Sequence, residues 1–230
     1  MTRRVYYDHE PAYRAIERRG GRGWDDRADD PDTDSYVGLD AFIAEYCAER
    51  TLAAVLDLGC GGGQAALRFS ARADRVVGID YSETAVALAR SNAAGLVHVH
   101  FEVGDVTRLD GVDGPFDVIV DNHALHCLVD DDHRQGMLRG VAGLLAPRGL
   151  FFCETMSREG RFDPERFDVG PPGFVDAAKT RRWVSAAELD AELESAGLVI
   201  VERRQRAVPP GAPPSGDLLW TVARARTRTV

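Results

Sequence analysis

The sequence predicts an α/β protein built on a doubly wound, parallel sheet. Short apolar runs recur, most of them ending in Asp or leading into glycine. Helix-length amphipathic segments separate the runs, and a glycine cluster follows directly on the first of them. Strands that alternate with helices run parallel and are covered on both faces. The 230 residues suffice for one domain with a trimming, and a hydrophobic share of 44% fills a core and excludes general disorder.

The elements follow in chain order. Residues 1–36 form a lead-in, polar and aromatic by turns, in which 11–19 is expected to be a short helix with Pro11 in its first turn. Asp25, Asp26, Asp29, Asp30, Asp32 and Asp34 crowd the rest of it, as a cap or as a solvated acidic linker. A helix over 39–50 puts Phe42, Ile43, Tyr46 and Cys47 on one face. Strands are then expected over 53–57, 75–80, 98–102, 116–120 and 149–153, with helices over 64–71, 83–93 and 132–145 between them. Segment 156–184 interrupts the alternation with Arg158, Arg161, Phe162, Arg166, Phe167, Phe174, Arg181, Arg182 and Trp183. An insertion there is either a wall of the substrate site or an ordinary surface loop. The helix over 185–196 opens with a capping box, Ser185 with Glu188, and Gly197 closes it. Two final strands, 198–201 and 218–223, flank the proline-rich link 208–214.

Charge and composition exclude several functions. With 28 Lys+Arg against 37 Asp+Glu the net charge is -9, which disfavours general nucleic-acid binding. Lys179 is the only lysine, so no phosphate-binding loop of the G-K-[ST] type exists. Cys47, Cys60, Cys127 and Cys153 show no paired spacing and read as thiols of a reducing compartment. No apolar run approaches the length of a membrane span, and the N-terminus lacks a signal-peptide core. A soluble, cytoplasmic protein is expected, with no membrane partner; its oligomeric state is left open.

The sharpest signal is Asp57-Leu58-Gly59-Cys60-Gly61-Gly62-Gly63-Gln64, a strand entering a tight turn from which a helix starts. Dinucleotide enzymes share such a turn, but here Asp57 precedes the first glycine by two residues, and no glycine stands at the third fingerprint position. Asp80 closes the second strand, placed to bind two ribose hydroxyls. Asp105 and Asp121 also fall at the carboxyl ends of strands, the ligand edge of such a sheet, although Asp also serves there as a capping residue.

With these residues the chain resembles a class I S-adenosylmethionine-dependent methyltransferase of the small-molecule type over about residues 37–205. The resemblance rests on the glycine turn, on Asp80-Tyr81, on Gly104-Asp105-Val106, on the fourth-strand motif through Asp121-Asn122-His123, and on Leu144-Leu145-Ala146-Pro147-Arg148-Gly149. It implies a Rossmann-like, seven-stranded sheet with an antiparallel last strand, spanning 37–230, and a lid over 1–36. It also implies S-adenosyl-L-methionine as cofactor and S-adenosyl-L-homocysteine as product. Asp57, Gly59, Cys60, Gly61 and Gln64 would cradle the methionine and ribose, Asp80 the ribose diol, and Tyr81, Gly104, Asp105 and Val106 the adenine. Asp121 and Asn122 would complete that set. A sulfonium cation suits acidic surroundings in a way that a pyrophosphate does not.

His123 and His126, three apart in the loop after the fourth strand, are the candidates to orient or deprotonate a small-molecule acceptor. Capping or packing is the plainer role for either, and with Cys127 and Asp130 they also have the residue types of a metal site, although four ligands in one short loop would crowd the ion. No metal is expected. His9, His98, His100 and His133 are given no role. Tyr6, Tyr7, Tyr13 and Trp24 would furnish the lid. Methyl transfer is the leading expectation. The alternative is a non-methylating use of the same cofactor, by cyclisation or aminocarboxypropyl transfer, which releases methylthioadenosine.

Overall fold

A computed structural model describes residues 9–24, 35–160, 169–170, 175–176, 180–207 and 217–226. Tyr6, Tyr7, the acidic run 25–34, Arg161, Phe162, Arg166, Phe167, Phe174 and the link 208–214, all singled out in the sequence, lie outside the described residues.

Helix α1 (Glu10–Arg18) carries Pro11 in its first turn, where a missing N–H costs nothing, and buries Tyr13 and Ile16. Helix α2 (Val37–Phe42) continues as a π-helical turn over Ile43–Cys47, so that Phe42 and Tyr46 stack at 5.4 Å. Then come β1 (Leu52–Leu58), α3 (Gln64–Phe69), β2 (Ala73–Asp80), α4 (Glu83–Asn92), β3 (Val99–Val103) and β4 (Phe116–Asn122). Helix α5 (Asp131–Leu144) runs into β5 (Leu145–Met156). A two-stranded ribbon, β6 (Val169–Gly170) with β7 (Val175–Asp176), lies in the interrupting segment. Helix α6 (Ala186–Ser195), with its capping box formed, leads to β8 (Leu198–Arg206) and β9 (Leu218–Ala225).

The main sheet has the order β3-β2-β1-β4-β5-β9-β8. Strands β1 to β5 pair in parallel, and the last strand, β9, is antiparallel as expected; it enters between β5 and β8. Except for β3, which keeps its expected length one residue later, the strands exceed their expected lengths because sheet pairing carries on past each apolar run. β5 begins at Leu145 rather than 149, with a register shift opposite Phe116 and Val118. Pro147 offers no N–H to the ladder at this irregular stretch. Two apolar layers cover the sheet, one gathering Leu56, Ile119, Met137, Leu189 and Phe151, the other Phe42, Val55, Phe69, Val120 and Phe152. Phe116, Phe151 and Phe152 are wholly buried, each contributing roughly 1.5–3 kcal/mol. No described helix is long and apolar enough to cross a membrane.

This topology reverses direction at β1 and β4. In open sheets of this kind ligands bind at such a reversal, outside the carboxyl ends of the strands.

Candidate active site

The glycine turn is moulded onto the end of β2. The amides of Gly59 and Cys60 both donate to the carbonyl of Ile79, at 2.8 and 3.0 Å, and the Gly61 amide donates to Asp80 Oδ2 at 2.9 Å. Gly59, Gly61 and Gly63 all have positive φ, 67°, 52° and 86°, a conformation other residues reach only at a cost. A β-carbon on Gly59 would stand 2.6 Å from Ala124 Cβ, so the turn lies hard against the loop after β4. The residues expected to border the adenine join the same frame: the Gly104 amide donates to the carbonyl of Asp80 at 2.9 Å. Asp105 Oδ1 accepts from the amide and hydroxyl of Thr107, and Val106 packs against the core.

Asp57, Asp80 and Asp121 are buried together at the strand ends. Burial pushes Asp57 up to about 7; the bond from the Ala66 amide opposes the rise, and the neighbouring Asp80 and Asp121 add to it. Burial likewise raises Asp80 and Asp121. Among the described residues no Lys or Arg pairs with any of the three. Three desolvated carboxyl groups beside an open turn suit a ligand that brings positive charge. The sulfonium and ammonium of S-adenosylmethionine have that character. The individual contacts differ in kind, however. Asp121 accepts from the Ala124 and Leu125 amides at 2.7 and 3.0 Å and from the Cys153 thiol, so its side chain organises the β4 loop. Asn122 donates to the Ser35 carbonyl, and Gln64 to the Arg22 carbonyl.

That loop turns as a short 3-10 helix over Leu125–Cys127, and the rings of His123 and His126 come to 5.7 Å. His123 has φ 78°, the one non-glycine residue in the left-handed region among those described. Its ring Nε2 lies 3.2 Å from Glu154 Oε2, and Glu154 is itself forked by Arg206. His126 is buried, which lowers its pKa well below the usual imidazole value, and its Nδ1 has no hydrogen-bond partner. Beneath the loop, the fully buried Arg134 donates to the Leu125 and Leu128 carbonyls and pairs with Glu192 at 2.6 Å. No group of three or more His, Cys, Asp or Glu among the described residues is placed to hold a metal ion.

The lead-in packs on the glycine turn and on the start of α4. Tyr13 sets its hydroxyl where a β-carbon on Gly61 would be, and Trp24 packs on Tyr13 and His9. Glu10 accepts from the Ser82 and Thr84 hydroxyls at 2.6 and 2.5 Å, pinning α1 to the start of α4. His9, given no role from the sequence, instead meets the Tyr81 hydroxyl through its amide and ring, with Cys127 Sγ 4.0 Å from its Nε2. Sequence reasoning missed His9, Glu10, Arg134, Glu154 and Arg206. The only available signal was an acid inside an otherwise apolar strand, as at Glu154.

Comparison with known proteins agrees with this geometry. Residues 55–149 match a family described as a methyltransferase domain. The chain is 33% identical over 133 residues, 57% of its own length and 56% of the relative's, to a 2-heptyl-1-hydroxyquinolin-4(1H)-one methyltransferase of Mycobacteroides abscessus. It is 26% identical over 161 residues, 65% of its length and 61% of the relative's, to a ubiquinone biosynthesis O-methyltransferase of Sinorhizobium fredii. It thus spans less than two thirds of either relative. The fold matches the Burkholderia thailandensis 1,6-didemethyltoxoflavin-N1-methyltransferase, solved with 1,6-didemethyltoxoflavin and S-adenosylhomocysteine, at TM-score 0.69 and 24% identity over 95% of this chain and 87% of that one. It also matches the N-methyltransferase NodS of Bradyrhizobium japonicum with S-adenosylhomocysteine, at TM-score 0.68 and 19% identity over 94% and 98% of the two chains.

Proposed function

We propose that this class I S-adenosylmethionine-dependent methyltransferase domain methylates a small molecule bearing a proton on the accepting heteroatom. The observation that carries this reading is the juxtaposition of the glycine turn with the β4 loop, Gly59 against Ala124, with His123 and His126 on that loop.

Bound at the turn, the cofactor supplies an electrophilic methyl group. The chain's own residues would do the rest. Gly61, Asp57 and Asp80 hold and balance the positive end, Asp80 takes the ribose, and Tyr81 with Gly104, Asp105 and Val106 borders the adenine. His126, kept neutral by burial, offers a hydrogen-bond acceptor. His123 takes the acceptor's proton. Residues 1–36 serve as a lid, through Tyr13, Trp24 and His9, that excludes water once both ligands are in place. Correct alignment of the reacting atoms supplies the larger share of the rate.

The names of the two sequence relatives support an oxygen acceptor on a ring, and the acidic surface supports a small metabolite over a nucleic acid. The test is incubation with S-adenosylmethionine and a panel of hydroxylated ring compounds, followed by mass spectrometry of both products. S-adenosylhomocysteine with a methylated ring compound supports the proposal; methylthioadenosine replaces it with the non-methylating chemistry. Replacing both His123 and His126 by Ala should collapse turnover while cofactor affinity survives.

A further inference from the structure

Glu154 is the one acidic residue inside β5, and its side chain is wholly buried. Such a charge is costly, and an apolar residue of the same volume is often as stable or more so. Arg206 reaches from the end of β8, across β9, to fork both carboxylate oxygens at 2.8 Å. Gly38 on α2 makes the space: a β-carbon there would fall 2.1 Å from Glu154 Oε1. Burial opposes ionisation of Glu154, but hydrogen bonds from Arg206 and His123 outweigh it and hold the carboxyl at about 2. The group is therefore a permanent anion.

His123 is fastened to this residue twice. Its amide donates to the Glu154 carbonyl at 3.2 Å, and its ring Nε2 lies 3.2 Å from Oε2. The left-handed backbone of His123, with φ 78°, accompanies that double attachment; such conformations persist where the surroundings over-determine them. A carboxylate accepts but does not donate, so it selects the ring form with the proton on Nε2 and leaves Nδ1 with a lone pair. The His123 side chain keeps 23% exposure, and no described residue bonds its Nδ1. The charged and titratable groups about the ring are Glu154 from β5, with Arg206 of β8 behind it, Asp121 from the end of β4, and His126 from the 3-10 turn.

We propose that Glu154, locked by Arg206, is the positioning residue for His123, fixing its tautomer and turning Nδ1 to the acceptor. The proposal rests on the methyl-transfer reading above. The step it serves is a proton transfer: the acceptor O–H bond breaks, the proton goes to Nδ1, and the electron pair stays on the oxygen as the nucleophile. The imidazolium that forms is balanced by the carboxylate at Nε2, and the proton leaves to solvent after turnover.

The test compares the full chain with Glu154→Gln. A kcat loss of roughly 10–100-fold is expected, with the KM for cofactor unchanged. The loss should shrink for acceptors whose hydroxyl is already ionised at the assay pH, a discrimination that a purely structural contact does not produce. Glu154→Asp should recover part of the rate. If the single variant unfolds, Glu154→Gln with Arg206→Met removes both charges and is assayed in the same way. Nitrogen NMR of the His123 ring, assigned with His123→Asn, reads the tautomer without turnover: protonation on Nε2 in the parent chain, and a mixed or reversed population in the variant. An unchanged tautomer, or an equal rate loss for ionised and un-ionised acceptors, overturns the proposal. A shifted tautomer in a protein that methylates nothing upholds the positioning and refutes the methyl-transfer reading alone.

Discussion

Tyr13 and Gly61 share one space: the Tyr13 hydroxyl lies 2.4 Å from where a β-carbon on Gly61 would stand. With φ 52°, Gly61 is also in a conformation that costs any other residue about 1 kcal/mol or more. Gly61→Ala therefore strains the turn and expels Tyr13. A drop of roughly 1–3 kcal/mol in unfolding free energy is expected by chemical denaturation, together with a loss of cofactor binding by calorimetry. Binding equal to that of the parent chain would show that neither contact matters to the site.

Asp57 makes stability depend on pH in an unusual direction. Burial raises it to about 7 in the fold, against about 3.9 in an unfolded chain. Between those values the native state holds a proton that the unfolded chain has released, so stability falls as pH rises through the window. Above pH 7 the whole penalty, on the order of a few kcal/mol, is present. Asp57→Asn should flatten the slope of melting temperature against pH between 4 and 7. S-adenosylmethionine should raise the melting point of the parent chain most at the alkaline end, where its positive charge meets the ionised acid.

Glu10 works in the opposite sense. Burial opposes its ionisation, but hydrogen bonds from Ser82, Thr84 and Arg14 prevail and hold it at about 2. Its contribution is complete above the ordinary carboxylate range and is lost as pH falls through 2. At neutral pH, Glu10→Gln weakens the link between α1 and α4 without touching the core. The expected result is faster limited proteolysis after α1 and a several-fold higher KM for the acceptor, with the denaturation midpoint nearly unchanged.

Arg134 supports the loop after β4 from below, bonding two of its carbonyls while paired with Glu192. Arg134→Met leaves those carbonyls unsatisfied and leaves Glu192 only Arg182, 3.4 Å away, at a cost of about 3 kcal/mol. Removing Glu192 as well, as Glu192→Leu, should restore much of the stability and little of the turnover. Recovery of both would mean that the loop holds its shape unaided.

Local signals carried much of the fold and of the cofactor side. Val55 to Asp57, Val76 to Asp80 and the glycines at 59–63 announce a strand, a turn and a ligand edge because backbone sterics and apolar alternation act over a few residues. The capping box at Ser185 and Glu188 was legible for the same reason. Strand lengths were less so, since pairing partners rather than propensity extended β5 back to Leu145.

The sequence alone determined the order of strands and helices, the glycine turn and the acids that end the strands, because each is set by neighbours in the chain. Only the tertiary structure decided that His9 of the lead-in meets Tyr81, that Asp121 accepts from the Cys153 thiol of β5, and that Glu154 stands between His123 and Arg206. Those pairings join residues distant in the chain or on separate strands. Their existence follows from sheet order and register, which side chains acquire only when the whole domain closes around them.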